Sequence, residues 1–256
     1  MFSIRMALPA HILDRLPPAF VRGSSLITER EPARGLPLGL EDLDAALPDA
    51  GLLRGGIVEL AVSGASALAT TIALLACRSA QQESKSRGGD AHWCAFIDPA
   101  GSLYAPGVYE AGVALERLLV VRPPAEALAR VALRLVQAQA FAVTVIDTVG
   151  TPGCQLNVAL GTWPRTLRRI SMALEGTSST LLFITDKQAA RPLPLPVAMR
   201  IELKRVAEDK LELHVPKDSR GRISRPRSIA WVRSEPKMAP AHRETLGTQH
   251  GLAPTG

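Results

Sequence analysis

Short apolar blocks alternate along the chain with longer stretches in which apolar residues return every three or four positions. The first block is Ile57, Val58, Leu60 and Val62; a small-residue turn and an apolar helical pattern over 68–77 follow. Residues 81–90 are polar and end in glycines, which predicts a surface loop. Residues 93–97 (WCAFI) are continuously apolar, as a strand buried on both faces is, and stop at Asp98-Pro99. A helix with Pro106 near its start is expected over 104–114, a short strand over 118–121, and a helix from Pro123-Pro124 to 140. That last helix has a narrow polar stripe, Glu126, Arg130, Arg134 and Gln137, with the first two spaced to pair. Residues 141–147 (FAVTVID) read as a buried strand ending in an acid, and 148–160 as a loop. Thr162 can cap a helix that reaches Glu175 and stops at Gly176, with Arg165, Arg168 and Arg169 on one side. A further strand, TLLFI at 180–184, ends at Thr185-Asp186.

Strands alternating with helices predict an α/β fold, a mainly parallel sheet flanked by helices. After Pro196 the apolar period drops to two. Residues 200–206 and 211–215 form an expected antiparallel hairpin, and 228–232 a third strand. At the front, 1–34 read as a mixed arm with a short helix at 10–16 and one extended strand at 19–29 (AFVRGSSLITE). Residues 36–47 suit a short amphipathic helix, and 49–56 a turn with three glycines. The expected organisation is an arm (1–34), a core domain (35–233) and a polar, proline-containing, disordered tail (234–256), with no internal repeat.

Composition narrows the class. The 256 residues, 46% hydrophobic and 21% charged, suit one α/β domain with short appendages. A net charge of +6 is compatible with nucleic acid but is weak evidence alone. The basic run Lys217, Arg220, Arg222, Arg225 and Arg227 is the densest patch; a charge run is usually a solvated face. Cys77, Cys94 and Cys154 are scattered and make no metal spacing, which points to a reducing compartment and no metal site. No apolar run is long enough to span a bilayer, and Pro9, His11, Asp14 and Arg15 break any signal core. The expectation is a soluble cytoplasmic protein without a membrane partner.

The central chemistry lies at 54–76. Strand, tight turn and helix make the frame of a phosphate-binding loop. Such a loop needs a lysine for the outer phosphates and glycines that let backbone N–H groups close on them. Between Ser63 and Thr71 there is one glycine, Gly64, and no lysine or arginine. Leu68 or Ala69 stands in the lysine's place, while Thr70 and Thr71 keep a hydroxyl that could hold magnesium. The plainer reading is a strand–turn–helix that binds nothing.

The pieces GGIVEL, CAFIDPAGSLY, AVTVIDTVG, RTLRRISMAL and STLLFITDK, in that order, resemble the core of RecA recombinases over about 36–232. The resemblance implies a RecA-like fold and also shows what is missing. Ala100 stands where RecA has the glutamate that activates the attacking water, and Thr185-Asp186 where RecA has Asn-Gln. Asp147 is similar to the magnesium-binding aspartate; a buried acid at a strand end also simply accepts backbone N–H groups. Phosphoryl transfer is mostly positioning and charge stabilisation, so this set of losses implies no ATPase and no cofactor. Ser63, Gly64, Thr70, Thr71 and Asp147 are then a degenerate nucleotide site.

RecA-like chains lacking these residues, at this length, look like the ImuA family of the bacterial mutasome, also called SulA-like after the division inhibitor. The resemblance implies a DNA-damage-induced scaffold of translesion synthesis. Its partners would be an inactive Y-family polymerase relative (ImuB), indirectly an error-prone C-family DNA polymerase, and as further candidates DNA and RecA. RecA protomers join by adding a strand to the neighbour's sheet edge. Here that edge maps to Leu118, Leu119, Val120 and Val121, backed by Leu128, Val131 and Leu135 on the next helix; the alternative is that the chain's own segment 20–26 covers it, in cis or in a homo-oligomer. The candidate DNA contacts are Arg165, Arg168 and Arg169 with Lys217, Arg220, Arg222, Arg225 and Arg227. Two other readings stand beside it, a division inhibitor and an active ATP-dependent recombinase.

Overall fold

The computed structural model describes residues 35–63, 68–86, 88–150, 158, 160–187 and 195–231. The expected arm and tail, and with them the strand at 19–29, lie outside those residues. In chain order the elements are α1 (Glu41–Ala46), β1 (Gly56–Ser63), α2 (Leu68–Ser86), β2 (Cys94–Ile97), α3 (Ala105–Glu110), β3 (Leu118–Val121) and α4 (Leu128–Gln137). Then follow β4 (Val143–Asp147), α5 (Trp163–Leu174), β5 (Thr180–Asp186), β6 (Met199–Ala207), β7 (Lys210–Asp218) and β8 (Arg227–Ala230). They build one eight-stranded sheet in the order β3-β2-β4-β5-β1-β6-β7-β8. Pairing is parallel from β3 through β6 and antiparallel for β7 and β8.

Alternation along the strands fills two cores. Val58, Leu60 and Val62 of β1 face α1, α2 and α3, with Ile72 and Val108 among their partners. Ile57, Ile146 and Phe183 face the other way, onto Leu133 and Val136 of α4 and Leu167 and Ile170 of α5. Trp163 opens α5 with its ring 5.0 Å from Phe183. Before β1 the chain crosses itself closely: a Cβ on Gly51 would lie 2.5 Å from the Leu36 carbonyl oxygen, so only glycine fits there.

Two expectations change. The 81–90 stretch is not all loop, because α2 continues to Ser86. Two of its polar residues are buried and bonded: Gln81 accepts the Ala114 N–H at 2.8 Å and donates to the Ala114 carbonyl at 3.2 Å, while the Ser84 hydroxyl donates to the Asp90 carbonyl. The expected helix at 104–114 is only the short α3, followed by a 3-10 turn at Leu115–Arg117.

The β6–β8 extension is tied to the parallel half by charge. Glu59, 2% exposed on β1, accepts from Arg200 at 3.0 and 3.2 Å and from the Thr185 hydroxyl at 2.8 Å. Arg222 bonds both Asp218, at 2.7 Å, and Asp49, which lies ahead of β1. The Asp49 hydrogen bond, and then the one to Asp218, raise the Arg222 guanidinium above its ordinary value. No described helix is long and apolar enough to cross a membrane.

Candidate functional site

β5 pairs with both β1 and β4, so the ends of these strands form one rim: Val62 is in register with Asp186, and Asp147 with Ile184. The candidate nucleotide residues gather there. Ser63 closes β1, Thr70 and Thr71 are half-buried in the first turn of α2, and Gly64 lies outside the described residues.

The carboxylates of this rim are already engaged. Asp147 is 3% exposed, and its Oδ1 accepts the N–H groups of Val149 and Gly150, both at 2.9 Å. Burial outweighs those two bonds and, with the nearby charge of Asp98, pushes the Asp147 carboxyl above its ordinary value. Asp98, fully buried, accepts the Ser102 N–H at 2.9 Å, the Leu103 N–H at 3.0 Å and the Arg122 Nε–H at 3.3 Å. The Lys187 ammonium bonds Glu202 at 2.6 Å. Asp186 is exposed at the mouth, and Ala100 offers only a methyl after β2. A triphosphate with its magnesium ion calls for cations and a coil of N–H donors. The described part of this rim supplies carboxylates, hydroxyls and a lysine committed to Glu202, and the turn at 64–67 that would carry the N–H donors lies outside the described residues.

The second candidate surface is the sheet edge. Among the described residues β3 pairs with β2 alone. Leu119 and Val120 are 37% and 40% exposed, and Leu118 and Val121 are half-buried. Of the residues expected behind the edge, Val131 and Leu135 are half-buried, but Leu128 is 0% exposed within the α4–α5 core. Leu128 is therefore a packing residue and offers no docking side chain. The inward stripe of α4 is Leu128, Ala132, Leu133 and Val136, offset from the stripe expected. On the other side of β3, Leu118, Val120 and Arg122 line a groove with Leu103, Val108 and Leu115. Tyr104 and Tyr109 beside it are 71% and 66% exposed. The sequence reasoning missed this groove; Tyr104 just before α3 and Tyr109 within it were its only signal.

The basic residues split. Arg222 is spent on Asp49 and Asp218, Arg220 reaches Asp49 at 3.2 Å, and Lys217 donates to the Leu195 carbonyl at 2.9 Å. Three of the run are thus partnered, although Lys217 and Arg220 stay exposed; Arg225 and Arg227 are exposed without an ion pair among the described residues. Arg165, Arg168 and Arg169 are exposed together on α5. Arg130 and Arg134 are exposed on α4, which packs against α5, and the expected Glu126–Arg130 pair does not form.

Strand order and helix placement define a RecA-like α/β protein. The RecA N-terminal domain model matches residues 19–186, and the chain belongs to that family. It is 34% identical over 163 residues to protein RecA of Cutibacterium acnes, covering 59% of this chain and 44% of that protein. To protein RecA of Frankia alni it is 30% identical over 189 residues, covering 68% and 52%. The chain thus spans about half the length of the curated relatives it matches. The crystal structure of the RadB recombinase superposes with a TM-score of 0.57 at 15% identity, covering 76% of this chain and 95% of that one, a likeness of fold.

Proposed function

We propose that this chain is an ATPase-deficient RecA-like accessory protein of DNA-damage-induced translesion synthesis. It is a cytoplasmic, nucleoid-associated scaffold of the ImuA type. It binds an inactive Y-family polymerase relative of the ImuB type and, through it, an error-prone C-family polymerase. The observation that carries the reading is the contrast between rim and edge. On the rim Asp147, Asp98 and Lys187 all serve other protein groups, whereas the edge at β3 presents apolar side chains and one-sided backbone. An incoming extended segment that pairs with β3 would complete the sheet, as strand addition does elsewhere.

Two measurements on the purified chain test this. ATP turnover should stay at background with and without single-stranded DNA; DNA-stimulated hydrolysis would overturn it. The polymerase relative should co-purify with the wild-type chain and not with Val120→Lys, a change at a 40% exposed position that leaves the fold intact. Direct DNA contact is a second reading, carried by the three exposed arginines of α5 beside the two of α4. Replacing Arg165, Arg168 and Arg169 by glutamine should lower the salt slope of binding to single strands by about two. An unchanged slope would remove α5 from the interface.

A further inference from the structure

Arg78, midway along α2, is half-buried, and no carboxylate among the described residues pairs with it. Its Nη2 donates to the Leu38 carbonyl at 3.1 Å. Its Nε is sealed from solvent and bonded to nothing, and no other buried side-chain nitrogen or oxygen among the described residues lacks a partner. Nη1 makes no bond to a described residue either, and unlike Nε it is open to solvent. The stem runs between two glycines in the left-handed region. A Cβ on Gly39 would lie 2.9 Å from Nη2, and one on Gly112 3.1 Å from Cδ. A guanidinium held partly out of water by a single neutral carbonyl is costly, and a carboxylate on its Nη end is the group that best offsets this.

The acids on the surrounding elements do not supply it. Asp44 of α1 spends Oδ1 on the Leu38 N–H at 2.7 Å and Oδ2 on the Gly39 N–H at 3.0 Å. Glu110 and Glu116, on either side of Gly112, are exposed without an ion pair among the described residues. Glu41 and Asp42, three and four residues after Leu38, are exposed and unpaired in the same sense. This corner therefore offers one buried cation beside two surface anions.

The chain tethers a matching segment next to it. Residues 29–31 read Glu-Arg-Glu and stand four to six positions before Gly35. Gly35 is fixed by its N–H to the Asp49 carbonyl at 3.0 Å, and Leu36 exchanges two bonds with Leu52, both 2.8 Å. At about 3.5 Å per residue, Glu31 stays within about 14 Å of Gly35, and Leu38 within about 11 Å of it. So short a tether holds the carboxylates near Arg78 at a roughly millimolar effective concentration. When extended, the triplet puts Glu29 and Glu31 on one side and Arg30 on the other.

We infer that residues 29–31 strap the N-terminal arm to this corner. A carboxylate of Glu29 or Glu31 closes on the Arg78 guanidinium, and Arg30 lies toward Glu41 and Asp42. The arm then leaves the core in a set direction from the α1–α2 corner.

The test uses the full chain, with amide exchange of residues 27–34 read by mass spectrometry and folding checked by thermal melts. Arg78→Met keeps the stem and removes the charge. It and the double variant Glu29→Gln, Glu31→Gln should each speed exchange in that stretch about threefold, with little change in the melt. The three changes together should do no more than either set alone, because both remove one contact. Salt at about 0.5 M should erase the difference from wild type. If either variant leaves that exchange unchanged, the strap is overturned. If Glu110→Gln with Glu116→Gln reproduces Arg78→Met while the Glu29, Glu31 variant does not, α3 answers Arg78 and the strap is overturned as well. Protection that fades on dilution would place the segment on a second copy and overturn the contact within one chain.

Discussion

The two edges of the sheet are built on opposite rules. β8 ends the antiparallel side with Arg227, Ser228 and Ala230 exposed, and the turn before it is bolted by Arg222 to Asp218 and Asp49. Charge on an edge strand discourages a second chain from pairing with it. β3 ends the parallel side with Leu118, Leu119, Val120 and Val121 and no charge within the strand. A protein that guards one edge and leaves the other apolar treats them differently for a reason, and pairing with a partner is the reason favoured here. Changes on the β8 side should therefore cost stability, and changes at β3 should cost binding.

The largest expected effect is on the charged side. Arg200→Leu strips the buried Glu59 of its cation and should destabilise the fold by about 3 kcal/mol in urea melts. Adding Glu59→Gln should recover part of that loss, since the unpaired charge goes with it. Arg222→Ala comes next, at about 2 kcal/mol, because it leaves Asp218 without its cation and Asp49 with Arg220 alone. It carries a pH signature. Burial works to raise the Asp218 carboxyl, but the Arg222 hydrogen bond, the Arg220 N–H and the Arg222 charge hold it below its ordinary value. A depressed carboxylate adds stability above its unfolded value, near 3.9, that is lost as pH falls through the lower folded value. Wild type should lose this contribution in acid; Arg222→Ala should already lack it at neutral pH.

Asp147 lies between the edges and works the other way. Its raised carboxyl favours the fold when protonated, and that advantage fades as pH rises through the folded value. Asp147→Asn keeps an oxygen for Val149 and Gly150. It should stabilise the chain at neutral pH, with the gain vanishing in acid. A loss of stability instead would mean that the charge itself is used. The smallest effect belongs to the bare edge: Val120→Lys should change stability by less than about 0.5 kcal/mol.

The sheet and most of its helices were legible because apolar runs such as 143–147 and 180–184 admit no other burial. What was hidden depended on partners distant in sequence. Gln81 looked like loop material because its bonds go to the chain near Ala114. The pairing within the 217–227 run was hidden because Asp49, which binds Arg220 and Arg222, lies more than 170 positions earlier in the chain. Leu128 looked available because a stripe on an isolated helix does not say which rotation meets the sheet. The rim was readable from what it lacks, whereas the groove arises only once α3 is folded against β3.

Asp98 has one more consequence. Its bonds to Ser102, Leu103 and Arg122 set the wall of the groove before anything enters it. If the proposed partner segment docks beside β3, the loss of freedom on association falls mainly on that segment. Stiffening the visiting peptide, by cyclisation or flanking prolines, should tighten the complex, whereas rigidifying the host should change little.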